Sequence, residues 1–450
     1  MKLVIALIVL VLGSLLFHVL SPWWFTPLAS NWDTVDTTID ITLYITGVVF
    51  VAVNLFMAYA VYRYRHRPAQ KAHYEPENKR LETWLTAITA VGVAAMLAPG
   101  LVVWADFTQV PEGADEIEVL GEQWQWSYRF PGEDGKLGEV ATRYVAPDNP
   151  FGMSPGDPAG ADDILVRSNE LHLPVDRPVK MLLRSKDVLH DFAVPQFRVK
   201  MDMLPGSVTY AWFTPTRTGS FDVLCMELCG IAHYAMRGRV IVDTEEDFKA
   251  WLGGQTTWAE QRARPAADPA AGERQYATCV ACHGPEGRGN LQMNAPAIAG
   301  MEAWYLERQL RYYRQGVRGA HEGDTFGAQM AAMAGTIASD SALRNLAAYV
   351  ASLPAADSEP TLDGDPRRGA GHFNTCGACH GARGQGNHAL QAPRLAGQQD
   401  WYLKRQLKYF REGIRGAHQA DNYGHQMTMM ARTLQNEQSI DDLLSYVNTL

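Results

Sequence analysis

All six cysteines of this 450-residue chain fall in three local pairs: Cys225 with Cys229, Cys279 with Cys282, and Cys376 with Cys379. Each pair has a metal-binding or haem-attachment spacing, which leaves no thiol for a structural disulfide, so the cysteines describe cofactors and not a secreted disulfide framework. The first pair lies in Cys225-Met226-Glu227-Leu228-Cys229-Gly230-Ile231-Ala232-His233-Tyr234-Ala235-Met236, with His190 supplied from upstream. Two thiols four apart, an imidazole four further and a thioether three beyond form one loop of soft and borderline copper ligands. Sulfurs so spaced can bridge two copper ions, each completed by one His. A Cys2His2 zinc site is the rival, but zinc has no use for the added Met and favours Cys-x2-Cys pairs.

The other two pairs open the copies of a repeat. Residues 279–353 and 376–450 align without a gap, and 36 of 75 positions are identical, which indicates a duplicated domain and not a solenoid. Each copy begins with Cys-x-x-Cys-His: Cys279, Cys282 and His283, then Cys376, Cys379 and His380. Two thiols add across haem vinyl groups, and the adjacent imidazole binds iron from one face. A redox dithiol is the alternative reading of a lone match. The second iron ligand is expected to be a Met, which raises the potential as an electron-transfer haem requires. Met330 or Met333, and Met427 or Met430, are the candidates; His321 and His418, in Arg-Gly-Ala-His, would give bis-His ligation instead.

Hydrophobic content of 47% is high for a wholly soluble chain of this length. The apolar stretches 41–62 and 85–105 are each long enough to span a bilayer, and 3–20 is either a cleaved signal or a retained helix. The aromatic run Pro22-Trp23-Trp24-Phe25 after it reads as an interfacial belt and favours an anchor. Arg63, Arg65, Arg67, Lys71, Lys79 and Arg80 lie between the two longer spans, so the positive-inside rule puts that loop in the cytoplasm and all that follows outside. From 108 to 250, short alternating runs such as 116–120, 178–183 and 238–242 bounded by Gly and Pro predict a β-sandwich. Residues 147–163 read as an inserted surface loop. Ala- and Pro-rich segments at 251–272 and 354–366 read as linkers of semi-rigid reach before the haem domains 273–353 and 367–450. The net charge of −9 argues against nucleic-acid binding and is compatible with a basic docking partner.

The copper loop, with His190-Asp191-Phe192-Ala193-Val194-Pro195, Lys200-Met201-Asp202 and Pro205-Gly206, resembles subunit II of the haem–copper cytochrome c oxidases. That resemblance implies a multidomain fold: a transmembrane α-helical hairpin or three-helix anchor over 1–107, an all-β cupredoxin-like domain holding binuclear CuA, and two all-α class I cytochrome c domains. It implies that Cys225 and Cys229 bridge the coppers, that His190 and His233 ligate one each, and that Met236 is axial. Glu227 would give its carbonyl to copper and its carboxylate to a Mg2+ shared with subunit I; the similar loop of nitrous-oxide reductases carries Trp there. Trp124 would be the point of electron entry from cytochrome c, although Gln125 stands where an aromatic is usual and stacked core aromatics are the alternative. Glu82 resembles the carboxylate at a proton-channel mouth, with the usual Trp displaced to Trp84; a boundary charge is the plainer reading. The repeats resemble small tandem dihaem cytochromes, which selects Met330 and Met427 as axial ligands by their distance from Ile337 and Leu434. Pro296 and Pro393 resemble the proline whose carbonyl orients the proximal His.

The function so implied is the electron-entry subunit of a bacterial terminal oxidase in the inner membrane, with its copper and haem domains on the periplasmic side. Its partners would be subunit I, subunit III, membrane lipid and a donor that is either a soluble cytochrome c or a quinol–cytochrome c reductase. Electrons would pass from haem c to CuA and to subunit I for O2 reduction and proton pumping. A nitric-oxide-reducing partner, or a free-standing redox relay, are the alternatives.

Overall fold

The computed structural model describes residues 1–21, 26–68, 71, 76–355 and 358–450. The aromatic run at 22–25 therefore lies outside the described residues. Three apolar helices open the chain, α1 (Lys2–Leu20), α2 (Asp33–Arg63) and α3 (Lys79–Thr108), and all three are long enough to cross a membrane. Asp33 and Asp36 in the first turn of α2 and Arg63 in its last complement the helix dipole. At α3 the Asn78 side chain caps the first turn by accepting from Leu81 N at 3.1 Å.

The helix ends are tied to the following domain by aromatic and ionic contacts. Trp32 packs between Phe107 and Trp212, and its indole donates to the Trp212 carbonyl at 3.0 Å. The Trp212 indole in turn donates to Asp106 O at 3.2 Å, and Arg198 holds Asp36 at 2.6 Å. The β-domain is thus seated directly on the mouths of α2 and α3.

That domain comprises β1 (Asp115–Glu122), β2 (Gln125–Phe130), β3 (Ile164–Val166), β4 (Glu170–Pro174), β5 (Val179–Ser185), β6 (His190–Val194), β7 (Val199–Met203), β8 (Thr209–Phe213), β9 (Gly219–Leu224) and β10 (Arg237–Asp243). They form two five-stranded sheets, ordered β3-β2-β1-β5-β8 and β4-β10-β9-β6-β7, parallel at β1–β5 and β4–β10 and antiparallel elsewhere. Alternate residues of β5 face the core as period-2 patterning requires, and Trp126, Tyr128, Phe192, Phe197 and Phe213 fill the space between sheets. On β2 alternation fails because both faces are covered. Its Arg129 is buried against Glu118 at 2.6 Å and Asp163 at 2.7 Å, and burial, opposed by Arg129, pushes the Asp163 carboxyl up to about 6. Removing one member of a buried ion network strands the others, so Arg129→Leu is expected to cost about 3–5 kcal/mol, read as a lower urea midpoint.

Residues 147–163 form the irregular loop expected from their Gly and Pro content, but much of it is buried and not on the surface. Phe151 and Met153 are buried with Leu120, Leu165 and Trp258, because the segment folds back over the outer face of β2. After α4 (Glu245–Gly253), the stretch read as a linker contains α5 (Trp258–Ala263), closed by a Thr257–Glu260 capping box, and Trp258 is its buried contact with the barrel.

The first repeat folds as α6 (Pro269–Tyr276), α7 (Val280–His283), α8 (Ala303–Arg314), α9 (Thr325–Gly335) and α10 (Asp340–Ser352). The second folds as α11 (Pro366–His380), α12 (Asp400–Glu412), α13 (Asn422–Ala431) and α14 (Glu437–Val447). In each copy the opening and closing helices cross at a glycine: a Cβ at Gly272 would stand 2.0 Å from Asn345 O, and one at Gly369 would stand 1.9 Å from Asp442 O. At that crossing the copies differ in charge. Asp442 accepts from Arg368 at 2.7 Å and from Asp365 N at 2.8 Å, whereas Asn345, which is uncharged, accepts the backbone bond from Asp268 N at 2.8 Å. The hydrogen bond from Arg368, outweighing desolvation, holds the Asp442 carboxyl well below the usual carboxylate range. A depressed folded-state pKa gives stability that is present above the unfolded value of about 3.9 and lost as pH falls below it. The second copy is expected to lose thermal stability between about pH 4 and pH 2 more steeply than the first, and Asp442→Asn to flatten that dependence in melting curves.

Candidate metal and haem centres

The loop between β9 and β10 brings the predicted copper ligands together. Cys225 Sγ and Cys229 Sγ are 3.7 Å apart. His190 Nδ1 lies 3.9 Å from Cys225 Sγ, and His233 Nδ1 lies 3.4 Å from Cys229 Sγ. Each sulfur also has one weak donor: Glu227 O at 3.3 Å from Cys225, and Met236 Sδ at 3.9 Å from Cys229. The arrangement is two-sided, with one thiol, one imidazole and one weak ligand on each half. A single tetrahedral zinc would leave the Met and the carbonyl unused. His190, Cys225 and Cys229 are buried; the thiol–thiol hydrogen bond, outweighing burial, lowers Cys225, and the same bond together with burial raises Cys229. The pair therefore takes one negative charge readily and resists a second, which is the electrostatic demand that a pair of cations meets.

Apart from Trp124, sequence reasoning did not single out the groups that hold this loop. Asp187, on the turn before β6, accepts from His190 Nε2 at 2.7 Å and so leaves Nδ1 facing the sulfurs. Against the cost of burial, Asp187 and Cys225 raise the imidazole to about 9. Gly230, at φ +120°, lets Gln123 and Trp124 approach, since a Cβ would stand 2.9 Å from Gln123 Nε2. Both side chains donate to Cys229 O, Gln123 at 2.8 Å and the Trp124 indole at 3.2 Å. Trp124 is thus bonded to the copper loop, and it is also part of the buried core. The Glu227 carboxylate is paired with Lys200 at 2.9 Å, beside Asp191 and Asp202. Glu82 sits in the exposed first turn of α3, far along the chain from these groups.

In the repeats, His283 Nδ1 and His380 Nδ1 lie 2.8 and 2.7 Å from the carbonyls of Pro296 and Pro393. A carbonyl only accepts, so Nδ1 carries the proton and Nε2 keeps its lone pair for iron. Burial lowers both imidazoles, against the carbonyl's effect, as suits a neutral ligand. One continuous apolar cavity is lined by both Cys-x-x-Cys-His motifs, by Met330, Met333, Met427 and Met430, and by Trp124. His321 and His418 turn back on their own loops, accepting from Gly323 N and Ala420 N at 3.0 and 3.1 Å.

Between the repeats runs a seam with pseudo-twofold symmetry. Arg318 bonds Gln309 in its own copy and Tyr402 and Gln406 in the other; Arg415 bonds Gln406 in its own copy and Tyr305 and Gln309 in the other. Arg308 and Arg405 cross reciprocally to Gln391 and Asn294. All four guanidinium groups line the cavity, and among the described residues their buried Nε atoms have no hydrogen-bond acceptor. Haem carries two carboxylates, so two haems supply the anions these four cations require. The apolar walls, the neutral imidazoles and the charge of the seam all fit that group.

Comparison with known proteins agrees with this chemistry. Residues 116–244 match the family described as cytochrome c oxidase subunit II, periplasmic domain, and residues 269–354 and 366–450 each match cytochrome c. An alternative cytochrome c oxidase subunit 2 of Bradyrhizobium diazoefficiens is 58% identical over 259 residues, covering 58% of this chain and 94% of that protein. A cytochrome c oxidase subunit 2 of Cereibacter sphaeroides is 31% identical over 222 residues, covering 47% and 72%. The solved reduced cytochrome c4 of Pseudomonas stutzeri is 29% identical, covering 41% of this chain and all of that one, at a TM-score of 0.34. With three apolar helices, a copper-type cupredoxin-like domain and two haem c domains on one polypeptide, the chain belongs to the cytochrome c oxidase subunit II family and is an oxidoreductase component of a haem–copper oxidase.

Proposed function

We propose that this chain is the electron-entry subunit of a bacterial terminal oxidase, in which the mobile donor has been fused twice over. The observation that carries the reading is the single cavity that joins both haem motifs to Trp124, which is itself hydrogen-bonded to the copper loop at Cys229 O. When bound, haems c and binuclear CuA supply one-electron chemistry without atom transfer, while the protein fixes their positions and potentials. Cys279, Cys282, His283 and Met330 would hold one haem, and Cys376, Cys379, His380 and Met427 the other. His190, Cys225, Glu227 O, Cys229, His233 and Met236 would hold the coppers. The chain's own part is then to keep these centres close and dry, and to pass electrons to subunit I for O2 reduction coupled to proton pumping.

Exposed apolar residues on the copper loop, Met226, Leu228 and Ile231, support a protein partner at that end, as subunit I would be. Glu227 is placed among them and would contribute its carboxylate to an interfacial Mg2+ once a partner draws it from Lys200. Glu82 would lie at the cytoplasmic mouth of α3, and Arg63, Arg65, Arg67 and Lys71 beside it support a bacterial inner membrane orientation with copper and haem domains periplasmic. Subunit III and a cytochrome donor, soluble or part of a quinol–cytochrome c reductase, complete the proposed assembly. The test is oxygen uptake by the complex purified through a tag on this chain and driven by an ascorbate-reduced mediator. Cyanide-sensitive uptake is expected; reducible haem c without uptake would replace the reading with a nitric-oxide-reducing partner or a free-standing relay.

A further inference from the structure

The two haem copies are alike in sequence and unlike in surroundings. In the second copy, Cys379 and Met430 pack against the core of the copper domain. Gln426 Nε2 donates to Trp124 O at 2.7 Å, Tyr234 Oη donates to Met430 Sδ at 3.2 Å, and Gln125 Nε2 donates to Ala389 O at 3.2 Å. Gln419 and Asn422 extend the seat to Glu170 and Ser168. The duplication places Cys282, Gln329 and Met333 at the corresponding positions of the first copy, and all three are exposed. Met293 and Met333, which both line the cavity, are 51% and 42% exposed, and Leu291, two residues from Met293, is 49% exposed, so this face of the first copy is apolar. Trp124, meanwhile, is only 6% exposed, because the second copy covers it.

We infer that the second haem copy is the fixed donor to the copper site across Trp124, and that the matching face of the first copy is where a mobile one-electron carrier protein docks. This rests on the electron-entry role proposed above and adds its order. The occupant is indicated by the second copy: the corresponding face, which has the same Cys, Gln and Met, is already seated there on a redox domain through Met, Gln and aromatic contacts. A carrier docking on the first copy would be a small redox protein whose own metal edge is ringed by apolar or aromatic side chains. Each encounter oxidises the carrier by one electron and reduces the first copy's iron by one, with no atom transferred.

The test uses the whole detergent-solubilised complex, with a reduced soluble single-haem cytochrome c as the probe and stopped-flow spectra that separate haem c from copper. Gln329→Glu is expected to slow bimolecular haem reduction roughly tenfold, as removal of a central docking contact does, while haem-to-copper transfer keeps its wild-type rate. Gln426→Glu is expected to do the reverse, and Gln329→Asn to restore docking. Zinc-substituted cytochrome c, which is redox-silent, should protect residues 291–293 and 326–333 from hydrogen exchange. Exchanged effects of the two Glu variants, or protection over the second copy instead, would overturn the order; so would a Gln329→Glu complex of full haem content that docks normally. Should Gln329→Glu lose covalent haem, Leu291→Glu on the same face takes its place with the same expected result. If mediator-reduced haems never pass electrons to copper in the unmodified complex, the electron-entry reading itself fails, and that outcome is distinct from a reversed order.

Discussion

Cys229→Ser is expected to abolish the binuclear copper signal, near-infrared absorption and hyperfine spectrum alike, and to lower oxygen uptake by more than roughly a hundredfold, while both haem c bands still reduce with a small mediator. Loss of an outer-shell partner alone costs about 10–100-fold in metal affinity or activity, and Cys229 is more central than that. Its sulfur stands 3.7 Å from Cys225, 3.4 Å from His233 and 3.9 Å from Met236, so every donor on one half of the site is built around it. A hydroxyl is shorter, harder and not ionised at neutral pH, and so cannot bridge two coppers. Backbone placement should survive, since the loop is held through Cys229 O by Gln123 and Trp124 and not through the thiol. Glu227→Gln serves as the contrast: only the carbonyl of that residue faces Cys225, so copper should stay bound and the Lys200 ion pair alone be lost. A Cys229→Ser protein with wild-type copper content and spectrum would falsify the bridging assignment.

Met427→His is expected to lower the potential of the second haem by about 200 mV, because Met–His ligation raises haem potential relative to a second imidazole, and axial ligation spans about 0.8 V among haem proteins. At about 59 mV per tenfold for one electron, such a shift exceeds three powers of ten in equilibrium constant. Redox titration of the haem c bands checks it. Met430→Leu should leave the potential nearly unchanged, since Met430 is engaged by the Tyr234 hydroxyl on the copper domain. If the two variants exchange these effects, Met430 is the ligand and Met427 a wall of the cavity. Met330→His and Met333→Leu repeat the comparison in the first copy, where Met333 lines the cavity and is 42% exposed.

Much of the chemistry was legible because it is local. Cys-x-x-Cys-His places two thiols and an imidazole within one helical turn, and the copper loop places its Cys, His and Met within twelve residues, so composition and spacing nearly fix what they can bind. The membrane helices were legible for the same reason: the apolar runs 41–62 and 85–105 need no partner to declare themselves, and α2 and α3 extend them only by their polar ends. Strands β1, β5 and β10 follow the alternating runs seen in the sequence. The buried course of residues 147–163 was not legible, because Gly and Pro report how a chain turns and not what it turns onto.

One signal was present and unused: Arg318 and Arg415, Gln309 and Gln406, Tyr305 and Tyr402 all recur at the repeat spacing, although none of them is needed by a haem motif. Their reason appears only when the copies pack face to face and each arginine reaches across to the other's glutamine and tyrosine. Asp187 likewise acquires its role only when the turn before β6 folds it onto His190. The sequence by itself pointed to haem c and to copper, since those signals depend on residues a few positions apart. Only the tertiary structure decided that Gln426 and Met430 rest on the copper domain while the matching Gln329 and Met333 face solvent. The two copies carry the same local motifs, and what separates them is the path of the chain, which brings one of the two against Trp124.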